Sequence, residues 1–224
     1  MAQGLYVRQL KLGPMENFVY LVGAEGARET AIVDAAWEVD EALAAAAADG
    51  REVTHALVSH WHFDHTNGLA PLLEKQGVSV CAHTKDAPRL PKEVRGEITQ
   101  VVGGEAVEVG PLRIRALHTP GHTPGSTTWH LEAAPGGFPG AVFSGDTLFV
   151  NACGRCDLEG GDPEQMFDSL RRLSGLGDDV RLYPGHHYGD VPVSSISRER
   201  AQNPYFARLS SLEDFVALRM RPRR

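Results

Sequence analysis

The order of elements predicts an α+β fold, a two-sheet sandwich with helices on its outer faces. Three observations carry this. Short strand-like runs occur in both halves of the chain. Helical stretches fall singly between groups of strands, rather than after every strand as a purely parallel sheet requires. No internal repeat or low-complexity linker divides the 224 residues, and with 42% apolar residues the chain can bury a sizeable core. Residues 1–224 are therefore read as a single domain.

In order, "LYVRQLKL" (5–12) alternates as a half-buried strand should, "NFVYLVG" (17–23) is a second strand, and "TAIVDAA" (30–36) is short and apolar like a buried one. "EVDEALAAAAADG" (38–50) is a helix of strong formers stopped at Gly50. "VTHALVSH" (53–60) is a strand, followed by an irregular loop, a helix from Thr66 to about Gln76, and the strand "VSVCAH" (78–83). Pro88, Pro91 and Gly96 make 84–97 irregular. "EAVEVGPLRIRALHTPGH" (105–122) is a hairpin turning at Gly110-Pro111, and "STTWHLE" (126–132) and "GAVFSGD" (140–146) are further strands. "DPEQMFDSLRRL" (162–173) is a helix with Asp162 as its cap and Pro163 at its first position. "VRLYPGHH" (180–187) is the last strand, and helices over roughly 194–202 and 210–219 finish the chain.

Composition narrows the function. A net charge of −7 argues against a general nucleic-acid binder. The one basic tract, "RMRPRR" (219–224), reads as a solvated, frayed tail. No secretory signal opens the chain, and no apolar run approaches the ~20 residues that span a membrane. A soluble cytoplasmic protein with no membrane partner is the expectation. Three cysteines, Cys81, Cys153 and Cys156, are no disulfide framework. The C-x-x-C spacing of "CGRC" (153–156) reads as two reduced loop thiols, because neither a helix N-terminus nor two further ligands accompany it.

The stretch "SHWHFDHTNG" (59–68) crowds His60, His62, Asp64 and His65 into six positions where a strand gives way to a loop. Imidazole nitrogen and carboxylate oxygen suit zinc, iron and similar ions. One histidine in a polar loop is usually just solvated. Four ligand-type residues so close rarely arise from composition, and in a turning loop two pairs can serve two neighbouring ions. Further ligands must come from elsewhere. "HTPGHTPGS" (118–126), "FSGDTLF" (143–149) and "YPGHHYG" (183–189) each surround His or Asp with residues that permit a tight turn.

His60-x-His62-x-Asp64-His65, then "TPGH", "SGDT" and "PGH", in this order, resemble the metallo-β-lactamase superfamily over nearly the whole chain. The resemblance implies a four-layered αββα sandwich of two mixed sheets, with the metal site at one edge. It implies one ion on His60, His62 and His122, a second on Asp64, His65 and His186, and Asp146 bridging them. His55, His83, His118, His130 and His187 are then structural or exposed. The implied cofactor is two Zn2+, or a mixed Zn/Fe/Mn pair. Such a pair lowers the pKa of a bound water to around 7 and stabilises an oxyanion. Asp64 and Asp146 would assist as catalytic carboxylates. The expected reaction is attack of a metal-bound hydroxide on a thioester or ester.

A thiolate is a weak enough base (thiol pKa roughly 8.5) to leave unprotonated, which favours thioesters where no general acid is evident. Arg155 and Tyr188 occupy spacings that resemble glutathione contacts of glyoxalase II and of persulfide dioxygenases, and Arg155 could grip a carboxylate in bidentate fashion. The plainer reading is a surface ion pair and a packed tyrosine. Trp61, Phe63 and Phe149 suggest an apolar wall. The leading expectation is a glyoxalase II-like hydroxyacyl-glutathione thioesterase acting on a small-molecule thioester or glutathione-derived substrate. Against full correspondence, glyoxalase II enzymes usually carry a longer C-terminal helical domain, and only 38 residues follow His186. The alternative is a persulfide dioxygenase with one Fe2+ on His60, His122 and Asp146; "CGR" with Asp157 and the tail from Tyr183 resemble that family, while Cys156 and Phe63 depart from it. A lactonase, fitting H-x-H-x-D-H-x-x-G through Gly68, ranks third. A homodimer is compatible with the sequence.

Overall fold

The computed structural model describes residues 4–133 and 138–221. The first sheet takes β1 (Leu5–Leu12), β2 (Asn17–Ala24), β3 (Glu29–Val33), β4 (Glu52–Leu57), β5 (Ser79–His83) and β6 (Ile98–Val101), in that spatial order. Its first three strands run antiparallel, and β3 to β6 pair parallel. Parallel neighbours need crossovers. Helix α1 (Val39–Ala48) joins β3 to β4, and α2 (Phe63–Thr66) and α3 (Leu69–Lys75) join β4 to β5.

The second sheet holds β7 (Ala106–Val109), β8 (Leu112–His118), β9 (Thr127–Leu131) and β10 (Ala141–Gly145); β11 (Leu148–Phe149) and β12 (Ala152–Cys153) form a small hairpin beside it. After α4 (Pro163–Ser174), β13 (Arg181–Pro184) pairs parallel with β10, and β14 (Ser194–Ser195) closes that edge. Helices α5 (Ile196–Gln202) and α6 (Leu212–Arg219) end the chain. Its order is β14-β13-β10-β9-β8-β7.

Period-2 alternation builds the layers. In β2, Val19 and Leu21 face the α1 and α3 side with Ala42, Ala46, Leu69 and Leu72. Phe18, Tyr20 and Val22 face the second sheet, where they join Ile114, Trp129, Phe143 and Tyr183. The outer face of the second sheet packs Val142 and Leu182 on Leu170, Ile196 and Phe215 of the last three helices. The stack is helix, sheet, sheet, helix, the four-layered αββα sandwich the resemblance implies.

The hairpin turn at 110–111 and the Asp162 cap are as expected; Asp162 Oδ1 accepts from the Glu164 and Gln165 amides at 2.9 and 3.0 Å. Other details differ. The helix expected from Thr66 is two pieces, α2 and α3, and α2 places a single helical turn where an irregular loop was expected. A Cβ on Gly68, between them, would stand 2.9 Å from the Ala35 carbonyl oxygen. The edge strand β6 was not foreseen, since Ile98 is half-buried, only Val101 is buried, and pairing to β5 defines it. The expected strands 30–36, 53–60 and 180–187 all end early, at Val33, Leu57 and Pro184. The basic tract is not a free tail: Arg219 is buried, and residues 222–224 lie outside the described residues. Among the described residues no helix is long and apolar enough to cross a membrane.

Candidate metal centre

The strands end early because their C-terminal ends turn to face one another across the edge of the sandwich. All seven expected ligands meet there. Three groups with donor atoms within 4.8 Å of one another could hold a metal ion: His60, His62 and His122; Asp64, His65 and His186; and His60, His65 and Asp146. Asp146 lies between the first two. Its Oδ2 is 3.5 Å from His122 Nε2, and its Oδ1 is 3.3 Å from His65 Nε2 and 3.4 Å from His186 Nε2. His118 and His187 stand apart: His118 stacks on His83 and His187 leans on Phe18. Gly185 makes room for the carboxylate, since a Cβ there would stand 2.6 Å from Asp146 Oδ1.

The protein sets the ring tautomers from outside the cluster. Carbonyl oxygens only accept, so His122 Nδ1 carries its proton towards the Arg155 carbonyl (2.8 Å), and His186 Nδ1 towards that of Met15 (2.8 Å). Buried Asp34 does the same for two more rings. Its Oδ2 accepts from His65 Nδ1 at 2.9 Å and from the Ser59 hydroxyl at 2.7 Å. With that proton committed, Ser59 Oγ accepts from His60 Nδ1 at 3.0 Å. Four Nε2 lone pairs are thereby aimed inwards, while His62 presents Nδ1, 3.1 Å from His60 Nε2 and 2.9 Å from His122 Nε2. The Nε2 atoms of His65 and His186, both left as acceptors, lie 3.1 Å apart and repel unless a cation sits between them. Asp146 Oδ1 is also buried and accepts no hydrogen bond. The donor set thus fits divalent cations.

Electrostatics agree. Burial pushes His60 and His62 down, helped by neighbouring imidazoles, and His62 falls to about 4, so both stay neutral as ligation requires. Burial pushes Asp64 and Asp146 up. Surrounding imidazoles, together with the Asn17 amide at Asp64, more than reverse this and hold both carboxyls well below their ordinary range. His65 is lowered by burial but lifted further by Asp146 and Asp34, so its surroundings favour positive charge at this point.

A cavity of about 490 Å³ opens over the cluster. His62, Asp64, His122, Asp146 and His186 reach its surface, with Arg155 and Tyr188 on the walls. Tyr188 is 56% exposed and stacks on His186, ring centroids 4.6 Å apart. The Arg155 fork is filled by Asp157, with bonds of 2.9 and 2.8 Å, the ion pair of the plainer reading. Of the aromatics expected in the wall, Phe149 lines the cavity; Trp61 lies against His62 and Phe63 points outwards onto Trp37. Cys153 sits in β12 rather than in a loop; it and Cys156 are free and buried, and burial pushes their thiols up, Cys156 to about 12, so neither is a ready nucleophile.

Sequence reasoning missed the supports. Asp34 was visible only as a lone acid in the apolar run "TAIVDAA". Asn17, which donates from Nδ2 to Asp64 Oδ2 at 3.0 Å and accepts from Trp37 Nε1 at 2.8 Å, gave no signal. Asp86 joins the His60–His65 segment to the His122 loop through Trp61 N, Thr123 Oγ1 and Gly125 N, and its sequence neighbourhood is irregular.

Comparison with known proteins agrees with this geometry. Residues 12–186 match the model of the Metallo-beta-lactamase superfamily. The chain is 31% identical over 206 residues to the probable polyketide biosynthesis zinc-dependent hydrolase PksB of Bacillus subtilis (strain 168), covering 92% of this chain and 88% of that protein. It is 37% identical over 174 residues to the hydroxyacylglutathione hydrolase of Rhodospirillum rubrum, covering 77% of this chain but spanning only 63% of that relative. The crystal structure of ETHE1 from Myxococcus xanthus superposes with a TM-score of 0.84 at 32% identity, over 98% of this chain and 92% of that one. Motif order, αββα layers and a donor cluster at the sheet edge all converge, and the chain belongs to the metallo-β-lactamase superfamily of metallo-hydrolases.

Proposed function

We propose that the protein hydrolyses a small-molecule thioester, most closely a glyoxalase II-like hydroxyacyl-glutathione, in the cytoplasm. The observation that supports this is the convergence of seven donors in two sets, joined by the two oxygens of Asp146, on the floor of a cavity with an aromatic wall. His60, His62 and His122 would hold one divalent ion, and Asp64, His65 and His186 a second, with Asp146 between them. Bound there, two ions supply Lewis acidity and an acidified water.

The chain's own groups do the rest. Asp64 and Asp146, held ionised, accept hydrogen bonds from the attacking water and orient it. Asn17 fixes Asp64 by its side-chain amide. Phe149 and Tyr188, in edge-to-face contact, give the substrate an aromatic surface beside the cluster. The water oxygen bonds to the thioester carbonyl carbon as one of its protons is released to solvent, the C–S bond breaks, and the thiolate leaves with the electron pair without needing a protein acid, leaving the free carboxylic acid as the other product. Three free cysteines suit a reducing compartment.

A second reading, an Fe2+ persulfide dioxygenase on His60, His122 and Asp146, draws on the whole-length superposition with ETHE1 from Myxococcus xanthus. One experiment separates them. The purified protein is analysed for metal, then assayed for thiol release from S-lactoylglutathione and for oxygen uptake with glutathione persulfide. Near two zinc ions per chain with thiol release supports the hydrolase. One iron with oxygen consumption and no thiol release overturns it in favour of the second reading.

A further inference from the structure

The C-terminal helix also borders the cavity. Helix α6 and the residues after it supply Leu218, Arg219 and Arg221 to the lining. Arg219 is only 8% exposed. Its Nη1 donates to the Tyr205 hydroxyl at 3.0 Å and to the Cys153 carbonyl at 3.4 Å, and its guanidinium carbon lies 5.6 Å from the centre of the Tyr205 ring. Its Nε is buried and donates to nothing. A guanidinium removed from water without a carboxylate partner is costly unless an anion completes it. Neither Arg219 nor Arg221 forms an ion pair with a carboxylate among the described residues, whereas Arg155 beside them already grips Asp157.

The acids lining the cavity are Asp64 and Asp146, and both belong to the metal-facing cluster. The lining therefore carries both signs of charge. Carboxylates and imidazoles belong to the metal-facing cluster, Phe149, Leu158 and Leu218 add apolar surface, and Arg219 and Arg221 bring positive charge. Asp157, an acid within electrostatic reach of Arg219, is already held by Arg155. A neutral, apolar substrate gives no use for those cations.

We propose that Arg219 and Arg221 form an anion subsite that recognises a carboxylate or phosphate carried on the thiol portion of the substrate. This rests on the thioester reading. Arg219 offers a buried, oriented donor held on Tyr205; Arg221, exposed at the rim, adds charge and draws the anion in. The subsite would discriminate among thiols rather than among acyl groups.

The test compares thioesters that share one acyl group: S-lactoylglutathione with two carboxylates, its diethyl ester with none, the 4′-phosphopantetheine thioester with a phosphate, and the N-acetylcysteamine thioester as a neutral control. In the wild type, kcat/KM for at least one anionic thioester should exceed that for the neutral ones by about tenfold or more, the scale of one charge-assisted hydrogen bond. Whichever anion shows the larger ratio identifies the source. Arg221→Gln should reduce that ratio by about tenfold, mainly through KM. Arg219→Gln should reduce it further, and if that buried change fails to fold, Arg221→Gln still decides. Calorimetric binding of glutathione and of its diethyl ester is read alongside, independent of turnover. Thioester turnover with a ratio near one, or a ratio retained in Arg221→Gln, overturns the subsite while leaving the hydrolase. Absence of turnover with glutathione binding weakened by Arg221→Gln overturns the hydrolase while supporting the subsite.

Discussion

Asp34→Asn isolates the support that serves both halves of the metal centre. Asp34 lies at φ +56°, a left-handed conformation that Asn accepts and Ala does not, so the backbone is spared. Its carboxylate accepts three bonds: from the Ser59 amide at 2.7 Å, the Ser59 hydroxyl at 2.7 Å and His65 Nδ1 at 2.9 Å. An amide keeps one acceptor and gains a donor. If its oxygen faces the Ser59 amide, its NH2 meets His65 Nδ1–H, and that ring must move its proton to Nε2, the atom facing Asp146. If it flips, the NH2 meets the Ser59 backbone N–H and leaves a buried donor unpaired. The first outcome appears as metal affinity, a loss of about 10–100-fold, or roughly 1.4–2.7 kcal/mol. The second appears as lost stability of the metal-free fold, about 1–3 kcal/mol, or a drop of several degrees in Tm. The assays are chelator-competition titration with zinc and thermal melting of the metal-free protein. Affinity within threefold of wild type together with an unshifted melt would refute the tautomer argument.

Asp146→Ala should lower turnover by more than about a hundredfold while the protein still melts cooperatively, because the carboxylate joins the two donor sets at the sheet edge rather than within an apolar core; substantial residual turnover counts against a joining role. Stability should fall as pH drops from about 6.5 towards 4 partly through His83, whose pKa burial and the stacked His118 ring lower to about 4. Between those values the unfolded chain binds the extra proton, so folding weakens as acid is added, and the contribution is fully present at neutral pH. Denaturant midpoints of His83→Gln should therefore depend less on pH across this window than those of the wild type; equal slopes would remove His83 as a cause.

The elements whose neighbours in sequence decide them were readable in advance. The alternation in "LYVRQLKL", the alanine run of α1, the Gly110-Pro111 turn and the Asp162 cap are local physics, because period, propensity and capping act within a few residues. The metal cluster was announced by His60, His62, Asp64 and His65 because those residues are dense in one stretch, and its distant members by the resemblance of three later motifs. What supports them was not readable. Asp34 serves His60 and His65 across 25 or more positions, Asn17 reaches Asp64 across 47, and Arg219 returns from the last helix to Tyr205 and Cys153. A buried carboxylate or guanidinium carries no periodic signal, so its role is set by which surfaces meet when the sheets stack. The early ends of β3, β4 and β13 have the same origin: local pattern extends a strand as far as its apolar residues run, and packing at the sheet edge turns the backbone where the side chains must converge.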